Sequence, residues 1–431
     1  MDNVRSRVLH KLQVISEMGH QQHPAPENIF LAALEAGNLH LVQLLGSRHA
    51  DCVLNIRGEE MGYQAQTPAR FGLAGLWTLD YTQEITSPLC ITASHGYTDC
   101  VRYLLHRRAD PNAAPGGRSP LHEACAGSHD TCVQLLLEHG AHTNQRSDDG
   151  LTPLHLCDVT SSLRCAEILL QYGALVNQPT EVMQDTPLHI AARLGLLGHV
   201  GLYLRYGADI DARNADGETP LISACGGKCD DEDTCLQICS LLLEQGADPE
   251  AQDQQDRRPL HHACRKAEHH VVELLFKYNA DVNAADYNGV LPLSCVLQNA
   301  ELYEDKRPHL AVRTLLNHGA RSVCPEAFGK VLRCCSALPE VIAMLYNSYL
   351  KLQVSSKWRR DIPHEVFQAH HSFYTTFFGV SGGVRSLQHM CRFSLRKHFG
   401  SQCHLFIPLL PIPTVIKDYV LLATEQRSCL L

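Results

Sequence analysis

The stretch Thr152-Pro153-Leu154-His155 decides the fold, because variants of these four residues recur along the chain at a nearly constant spacing. The variants begin 32 to 34 residues apart, with a single gap of 39 residues before the sixth. Threonine or serine can cap the start of a helix, and proline loses no useful N–H in the first helical turn. A fixed period of this length indicates stacked structural repeats. The seven tetrads begin at Ser87, Ser119, Thr152, Thr186, Thr219, Arg258 and Leu291.

Each tetrad is followed by the pattern of a second helix. That helix carries a leucine pair such as Leu136-Leu137 and ends at a glycine–alanine step such as Gly140-Ala141, where glycine permits a left-handed cap. A single helix pair cannot cover its own apolar face, so stability must come from stacking on neighbours. The sequence therefore predicts an all-α solenoid.

The repeated units resemble ankyrin repeats. On that resemblance we expect a solenoid of about seven ankyrin repeats with hairpin loops over residues 87–324. Residues 1–86 are predicted to be a helical region with a degenerate repeat at Ala32–Asn38 and an insertion over 51–86. The insertion, with Gly75–Leu79, is expected to pack on the N-terminal end of the stack. It resembles the corresponding segment in a subgroup of ankyrin-repeat proteins.

Beyond the repeats, residues 325–383 read as a helical connector. One helix is centred on 331–345 and a second, with an aromatic stripe, on 366–378. Ser381-Gly382-Gly383 reads as a hinge before the C-terminal segment.

Residues 384–431 contain two short apolar motifs. Leu387, Cys391 and Leu395 recur at i, i+4 and i+8, so they line one stripe of a helix. Downstream, Leu410-Pro411-Ile412-Pro413 can neither continue a helix nor join a sheet ladder. The plainer interpretation of the first motif is an amphipathic helix that caps the solenoid. The two motifs together resemble a SOCS box, and with the repeats they resemble the ankyrin-repeat and SOCS-box family.

Members of that family are substrate-recognition subunits of cullin-RING ubiquitin ligases, so the resemblance implies a non-catalytic adaptor. It implies that Leu387, Cys391 and Leu395 bind elongin C, which is joined by elongin B. It also implies binding of cullin-5, with its RING subunit. The residues matched to the cullin-binding motif are Ile407, Leu410, Pro411, Ile412, Pro413 and Tyr419. The alternatives are an ankyrin scaffold that recruits no ligase and, more remotely, a metal- or thiol-dependent enzyme.

The other end of such a protein would hold a protein substrate, which the sequence does not identify. Ankyrin arrays bind proteins through their hairpin tips, and the tips here carry mixed charge. The residues predicted to contact substrate are Arg146, Asp149, Arg213, Asp216, Asp253 and Tyr287. The resemblance also implies hydroxylation of asparagines that close a repeat, for which Asn177 and Asn283 fit.

Composition limits the partners further. The chain has 431 residues, a formal charge of −9 and no long basic run, which argues against nucleic acid or an anionic membrane as partner. Its 19 cysteines fall mostly at apolar helix positions, as free thiols do in a reducing compartment. We therefore expect a cytoplasmic protein, present also in the nucleus, with no cofactor. The spacing of Cys225, Cys229, Cys235 and Cys239 fits no zinc motif, and no metal site is predicted.

Overall fold

Helix pairs joined by hairpin turns make up most of the computed structural model, which describes residues 26–45, 54–60, 80–229, 231–379 and 386–423. The chain divides into two compact units. The first contains the chain up to Leu188 together with Gly201–Ala208, and the second contains His189–Val200 and the chain from Asp209 onward. The predicted hinge at 381–383 and the segment 75–79 lie outside the described residues.

The first unit contains the early repeats. Its helices are α1 Pro26–Glu35, α2 Leu39–Leu45, α3 Pro88–Ser94, α4 Thr98–His106, α5 Pro120–Ala126, α6 Asp130–Glu138 and α7 Leu163–Gln171. In the third repeat a 3-10 turn, Pro153–Leu156, replaces the first helix. This is the repeat whose usual glycine turn is replaced by Asp158–Ser162.

The insertion contains two β-strands that the helical interpretation of residues 1–86 did not predict. Strand β1 (Leu54–Glu60) pairs antiparallel with β2 (Asp80–Thr86), with Leu54 opposite Thr86 and Glu60 opposite Asp80. β1 begins with the alternation Leu54-Asn55-Ile56-Arg57 and β2 is rich in β-branched and aromatic residues, both of which favour strands. Among the described residues, this pair is the one β-structure in an otherwise α-helical fold.

The second unit contains the later repeats, the connector and the C-terminal segment. Two helices, α8 Pro187–Arg193 and α9 Leu197–Arg205, contribute residues to both units. The remaining repeat helices are α10 Pro220–Gly226, α11 Glu232–Glu244, α12 Pro259–Arg265, α13 His269–Lys277, α14 Pro292–Asn299 and α15 Pro308–Asn317. The others are α16 Phe328–Cys334, α17 Pro339–Ser348, α18 His364–Ala369, α19 His371–Gly379, α20 Leu387–Phe399, α21 Cys403–Phe406 and α22 Thr414–Val420.

Each of the two helices predicted for the connector is divided in two. The first breaks ahead of Pro339, which begins α17, because proline is suited to the first turn of a new helix. The aromatic stripe of the second forms a core in which Tyr374 and Phe377 are fully buried. No described helix is both long enough and apolar enough to cross a lipid bilayer.

The histidine of each well-conserved tetrad links one repeat to the next. In the third repeat, Thr152 donates its backbone N–H to His155 Nδ1 (3.1 Å). The ring proton is therefore on Nε2, which donates to the Asp185 carbonyl of the following hairpin (3.2 Å). Within the second unit, His261 Nε2 bonds the Val290 carbonyl in the same way (3.2 Å). The tetrad thus caps its own helix and fastens the neighbouring turn.

This bridge requires a neutral imidazole, and it makes stability depend on pH. Burial lowers the pKa of His155 from 6.5 to about 4. The unfolded state therefore binds the extra proton first as the pH falls. The contribution of His155 is complete above pH 6.5 and is lost as the pH falls from there towards 4, at up to about 1.4 kcal/mol per pH unit.

We expect His155→Ala to lower the free energy of unfolding at pH 7.5 by about 2 kcal/mol, because the Asp185 carbonyl loses its donor. We also expect a shallower loss of stability below pH 6.5. Urea unfolding of both proteins at a series of pH values measures both effects. His139→Ala, at an exposed helix end, serves as the matched control. Parallel pH curves for the wild type and His155→Ala would contradict the bridge.

Candidate functional site: the C-terminal docking surface

Helix α20 carries the first C-terminal motif, and local chemistry fixes where it starts and stops. The Ser386 hydroxyl accepts a hydrogen bond from the His389 N–H (3.3 Å) and caps the helix. Its last turn is basic, which suits the negative end of the helix dipole. The helix ends at Gly400, where φ is +55° and a side chain would be strained.

The inner face of α20 is polar and is held against the connector. His389 and Arg392, three residues apart, are both buried. Arg392 donates to the Asn347 carbonyl (3.2 Å) and to His389 Nδ1 (2.8 Å). His389 Nε2 must then carry the ring proton, which it donates to the Tyr349 carbonyl (2.8 Å). The Arg392 guanidinium also lies over the Tyr419 ring, 4.2 Å from its centre.

One turn further along α20, Arg396 ties the C-terminal segment to the last repeat. Its guanidinium donates to Asn317 Oδ1 (2.6 Å), the Leu316 carbonyl (2.9 Å) and the Val420 carbonyl (2.9 Å). Asn317 in turn donates to the Leu421 carbonyl (2.9 Å). Burial lowers the pKa of Arg396, but three acceptors and the negative end of α15 stabilise its charge.

The outer face of α20 is apolar and exposed. Leu387 is 73% exposed, and Met390 and Cys391 are exposed beside it on the same face. Leu395 differs from the other two residues of the predicted stripe. It is half-buried and packs against a small core formed by Cys403, Ile407 and Val420. The structure therefore places Leu387 and Cys391 where a partner can reach them, and Leu395 mainly inside the segment itself.

The second motif is divided in the same way between core and surface. Ile407 is fully buried, so it cannot reach a cullin in this conformation, which corrects its assignment as a cullin contact. Leu410 packs against the same core, and Tyr419 lies under Arg392. Pro411 and Pro413 are exposed, and Ile412 is half-buried.

Sequence reasoning did not place Met390, Leu409 or Val415 in the predicted site. Leu409 is 77% exposed and Val415 is also exposed, as is Ile416 next to it. Met390 follows Leu387 by three residues, a spacing that puts both on one helical face and could have revealed it. Leu409 ends a 3-10 turn that begins at Ile407, and no pattern in the sequence indicated which of the two would be buried.

The predicted substrate residues lie at hairpin tips. Arg146 donates to the carbonyls of Gly150 and Pro179 (3.0 and 3.1 Å), the latter in the next hairpin. Arg213 donates in the same way to the Gln252 carbonyl (2.7 Å). Tyr287 is 78% exposed. Asp149 and Asp216 are also exposed.

Asp253 is the exception among the predicted substrate residues. It is only 5% exposed, and its carboxylate lies 2.8 Å from Arg257 Nε and 3.1 Å from His262 Nε2. Burial opposes ionisation, but hydrogen bonds from His262 and from backbone N–H groups outweigh it and hold the pKa of Asp253 below its usual range. Asp253 therefore organises its own hairpin and offers no surface to a substrate.

The two asparagines predicted to be hydroxylated each bridge consecutive repeats. Asn177 donates its side-chain amide to the Gly207 carbonyl (3.1 Å). Asn283 donates to the Gly319 carbonyl (3.1 Å) and accepts from the Arg321 N–H (2.8 Å). Asn177 is exposed and Asn283 is half-buried.

Comparison with known proteins identifies the family. Models of ankyrin repeats match overlapping stretches between residues 5 and 324, and a SOCS box model matches residues 383–421. The chain is 49% identical over 390 residues to ankyrin repeat and SOCS box protein 18 of Homo sapiens, covering 90% of this chain and 84% of that protein. This chain belongs to the ankyrin repeat and SOCS box family.

Two other family members show similar coverage. Protein 16 of Mus musculus is 36% identical over 92% of this chain and 86% of its own length. Protein 10 of Homo sapiens is 46% identical over 81% of this chain and 76% of its own length. Membership of this family, together with the SOCS box, implies the role of a ubiquitin-ligase substrate adaptor. The SOCS box is therefore the candidate functional site of this chain.

We expect Arg396→Ala to loosen the SOCS box from the last repeat. Removing the guanidinium leaves Asn317 Oδ1 and two carbonyls without their donor, a loss of about 3 kcal/mol. Hydrogen exchange and limited proteolysis should report faster exchange and cleavage across residues 387–423. Lys397→Ala, at the exposed neighbouring position, should change neither measurement. Unchanged protection in Arg396→Ala would show that other contacts hold the box.

Proposed function

We propose that this chain is the substrate-recognition adaptor of an elongin B/C–cullin-5–RING E3 ubiquitin ligase. The observation that carries the proposal is the division of α20 into a polar face that docks inwards and an apolar face that is left exposed. An ordinary capping helix would bury its apolar face against the stack. A helix with the reverse arrangement needs a partner for its outer face.

The outer face suits a single helical contact with elongin C. Leu387 projects at the start of α20, with Met390 and Cys391 beside it. Cys391 is small enough to let a partner approach the helix backbone closely. Full burial of one leucine stabilises a complex by about 1.5–3 kcal/mol, so Leu387 alone accounts for a tenfold or larger effect on affinity.

A second surface supports recruitment of a cullin. Leu409, Pro411, Pro413, Val415 and Ile416 are exposed around the turn that leads into α22. Proline fixes the backbone here before any partner binds, which reduces the entropy lost on association. The choice of cullin-5 rests on the resemblance of Leu410–Pro413 to the corresponding family motif.

The ankyrin repeats would supply the substrate-binding surface. The exposed side chains of the hairpin tips, Tyr287 foremost among them, are the candidate contacts. The adaptor would perform no chemistry and would act by holding a protein substrate near the ubiquitin-charged enzyme. Its substrate is a protein that the sequence does not identify.

The decisive experiment is an affinity pull-down with the intact chain and with a Leu387→Ala, Cys391→Phe variant. We expect the variant to lose elongins B and C together with cullin-5, because one contact is removed and the other is blocked. Gln388→Ala is the matched control on the same helix, and Leu302→Ala controls for loss of an equally exposed leucine elsewhere.

A separate arm tests the cullin surface. Leu409→Asp together with Ile416→Asp should abolish recovery of cullin-5 while leaving the elongins bound. If the intact chain brings down neither elongins nor cullin-5, the adaptor proposal fails and the chain is better described as an ankyrin scaffold. Retention of the elongins by the Leu387→Ala, Cys391→Phe variant would show that elongin C contacts a surface other than α20.

We also propose that an O2-dependent hydroxylase modifies Asn177 and Asn283, replacing one C–H bond of each side-chain methylene group by C–OH. Both amides are already engaged in bridging repeats, and oxygen added at the methylene carbon leaves those hydrogen bonds intact. Peptide mass spectrometry of the protein isolated from cells should show a mass gain of one oxygen at each site. Unmodified peptides at both positions would remove this proposal.

A further inference from the structure

The fifth repeat contains a feature that the adaptor function leaves unexplained. Helix α11 has 13 residues, whereas the corresponding helices α6, α7 and α13 have nine. The extra turn comes from an insertion in the fifth repeat, residues 226–233, which widens the spacing between the fifth and sixth tetrads to 39 residues. It places Glu232, the first residue of α11, beside His269, the first residue of α13 in the next repeat.

Three potential metal ligands converge there. A carboxylate oxygen of Glu232 and one ring nitrogen each from His269 and His270 all lie within 4.8 Å of one another. The two imidazole rings are 3.8 Å apart between centres. Glu232 Oε1 and His269 Nδ1 are buried atoms without a hydrogen-bond partner. Polar atoms that are buried and unsatisfied in this way require an explanation.

A simple ion pair explains the arrangement poorly. Glu232 Oε1 and His269 Nδ1 are 3.4 Å apart, which is long for a hydrogen bond between these atoms. Two ligands on a tetrahedral zinc ion, by contrast, are separated by about 3.3 Å when each is about 2.0 Å from the metal.

We propose that Glu232, His269 and His270 bind one zinc ion, with water or a side chain of a bound protein completing the coordination. Imidazole nitrogen and carboxylate oxygen are suitable zinc ligands, and three of them leave the fourth position open. The ion would link α11 of the fifth repeat to α13 of the sixth. This inference does not depend on ligase recruitment.

The surrounding charges are compatible with a cation. Asp231 and Asp233 flank Glu232 and are exposed, and they offset the positive ends of the two helices that begin here. Glu273 adds a further negative charge near His269, and Arg313 is the positive group that opposes it. The net local charge before binding is negative.

Two other clusters in this unit are poorer candidates. Glu218, Asp253 and His262 also converge, but Arg257 already neutralises Asp253 at 2.8 Å. The four cysteines of the fifth repeat do not all gather into one site, because Cys239 contacts Cys225 and Cys235 but Cys229 is engaged elsewhere. Cys225 and Cys239 are 3.8 Å apart between sulfurs, while the Cys229 thiol donates to the Asp231 carbonyl.

The test is zinc binding by the purified full-length chain, stripped with a chelator and titrated with zinc chloride. We expect one equivalent to be retained after dialysis. His269→Ala with His270→Ala should lose that equivalent, and Glu232→Gln, which keeps the side-chain shape, should weaken the affinity about tenfold or more. His370→Ala with His371→Ala is the matched control, because it removes an adjacent histidine pair elsewhere in the same unit.

Cobalt(II) in place of zinc identifies the ligands. A tetrahedral visible spectrum without a thiolate charge-transfer band in the near ultraviolet, lost in the His269→Ala, His270→Ala variant and requiring more cobalt in Glu232→Gln, would support the Glu232/His269/His270 site. A thiolate band would assign the metal to cysteines and overturn the proposal. Equal zinc retention by the wild type and the His269/His270 variant would overturn it as well.

Discussion

The constraint on which the structure depends is that no repeat can cover its own apolar face. Each helix pair buries leucines such as Leu136 or Leu315 only when a neighbour packs against it. The tetrad histidines link each repeat to the one that follows it, because each bonds a carbonyl in the next hairpin. The last repeat has no further repeat to lie on, and the connector and the SOCS box occupy that position in the second unit.

The SOCS box docks in an unusual way for a terminal cap. A cap normally buries an apolar face, yet α20 turns His389, Arg392 and Arg396 inwards and leaves Leu387, Met390 and Cys391 exposed, while Leu395 and Phe399 pack against the core of the segment. The inward side chains find carbonyl acceptors at the end of α15 and after α17. Directional polar contacts hold the box, and the apolar surface remains available for a partner.

The repeats could be predicted from the sequence because their determinants are local. Capping residues, leucine pairs and glycine turns recur in most of the repeats, so the pattern is recognisable even where one copy departs from it, as at Arg258 and Leu291. The SOCS box could be located by its motifs for the same reason. Whether Ile407 or Leu409 faces solvent depends on the fold of the whole segment, and the motif did not distinguish them. The β1–β2 pair was missed because a search for helical repeats does not detect a period of two.

Asp253 and His269 show the same limit at the level of single residues. Asp253 owes its surroundings to Arg257 and His262 in the turn and helix that follow it, and His269 owes its surroundings to Glu232 in the preceding repeat. Asp253 was expected at a binding surface and is instead the acceptor that shapes its hairpin. His269 matches no metal-binding spacing in the sequence, and the longer α11 brings the Glu232 carboxylate to it.

The contacts of Arg396 have a mechanical consequence. An apolar interface tolerates sliding and rotation at little cost, whereas the hydrogen bonds from Arg396 to Leu316 and Asn317 of the last repeat weaken as soon as their angles change. The SOCS box is therefore held in one orientation relative to the last repeat. A protein bound at Leu387 therefore has a fixed orientation relative to the seventh repeat. This orientation, as well as the distance, determines which positions on a substrate the bound protein can reach.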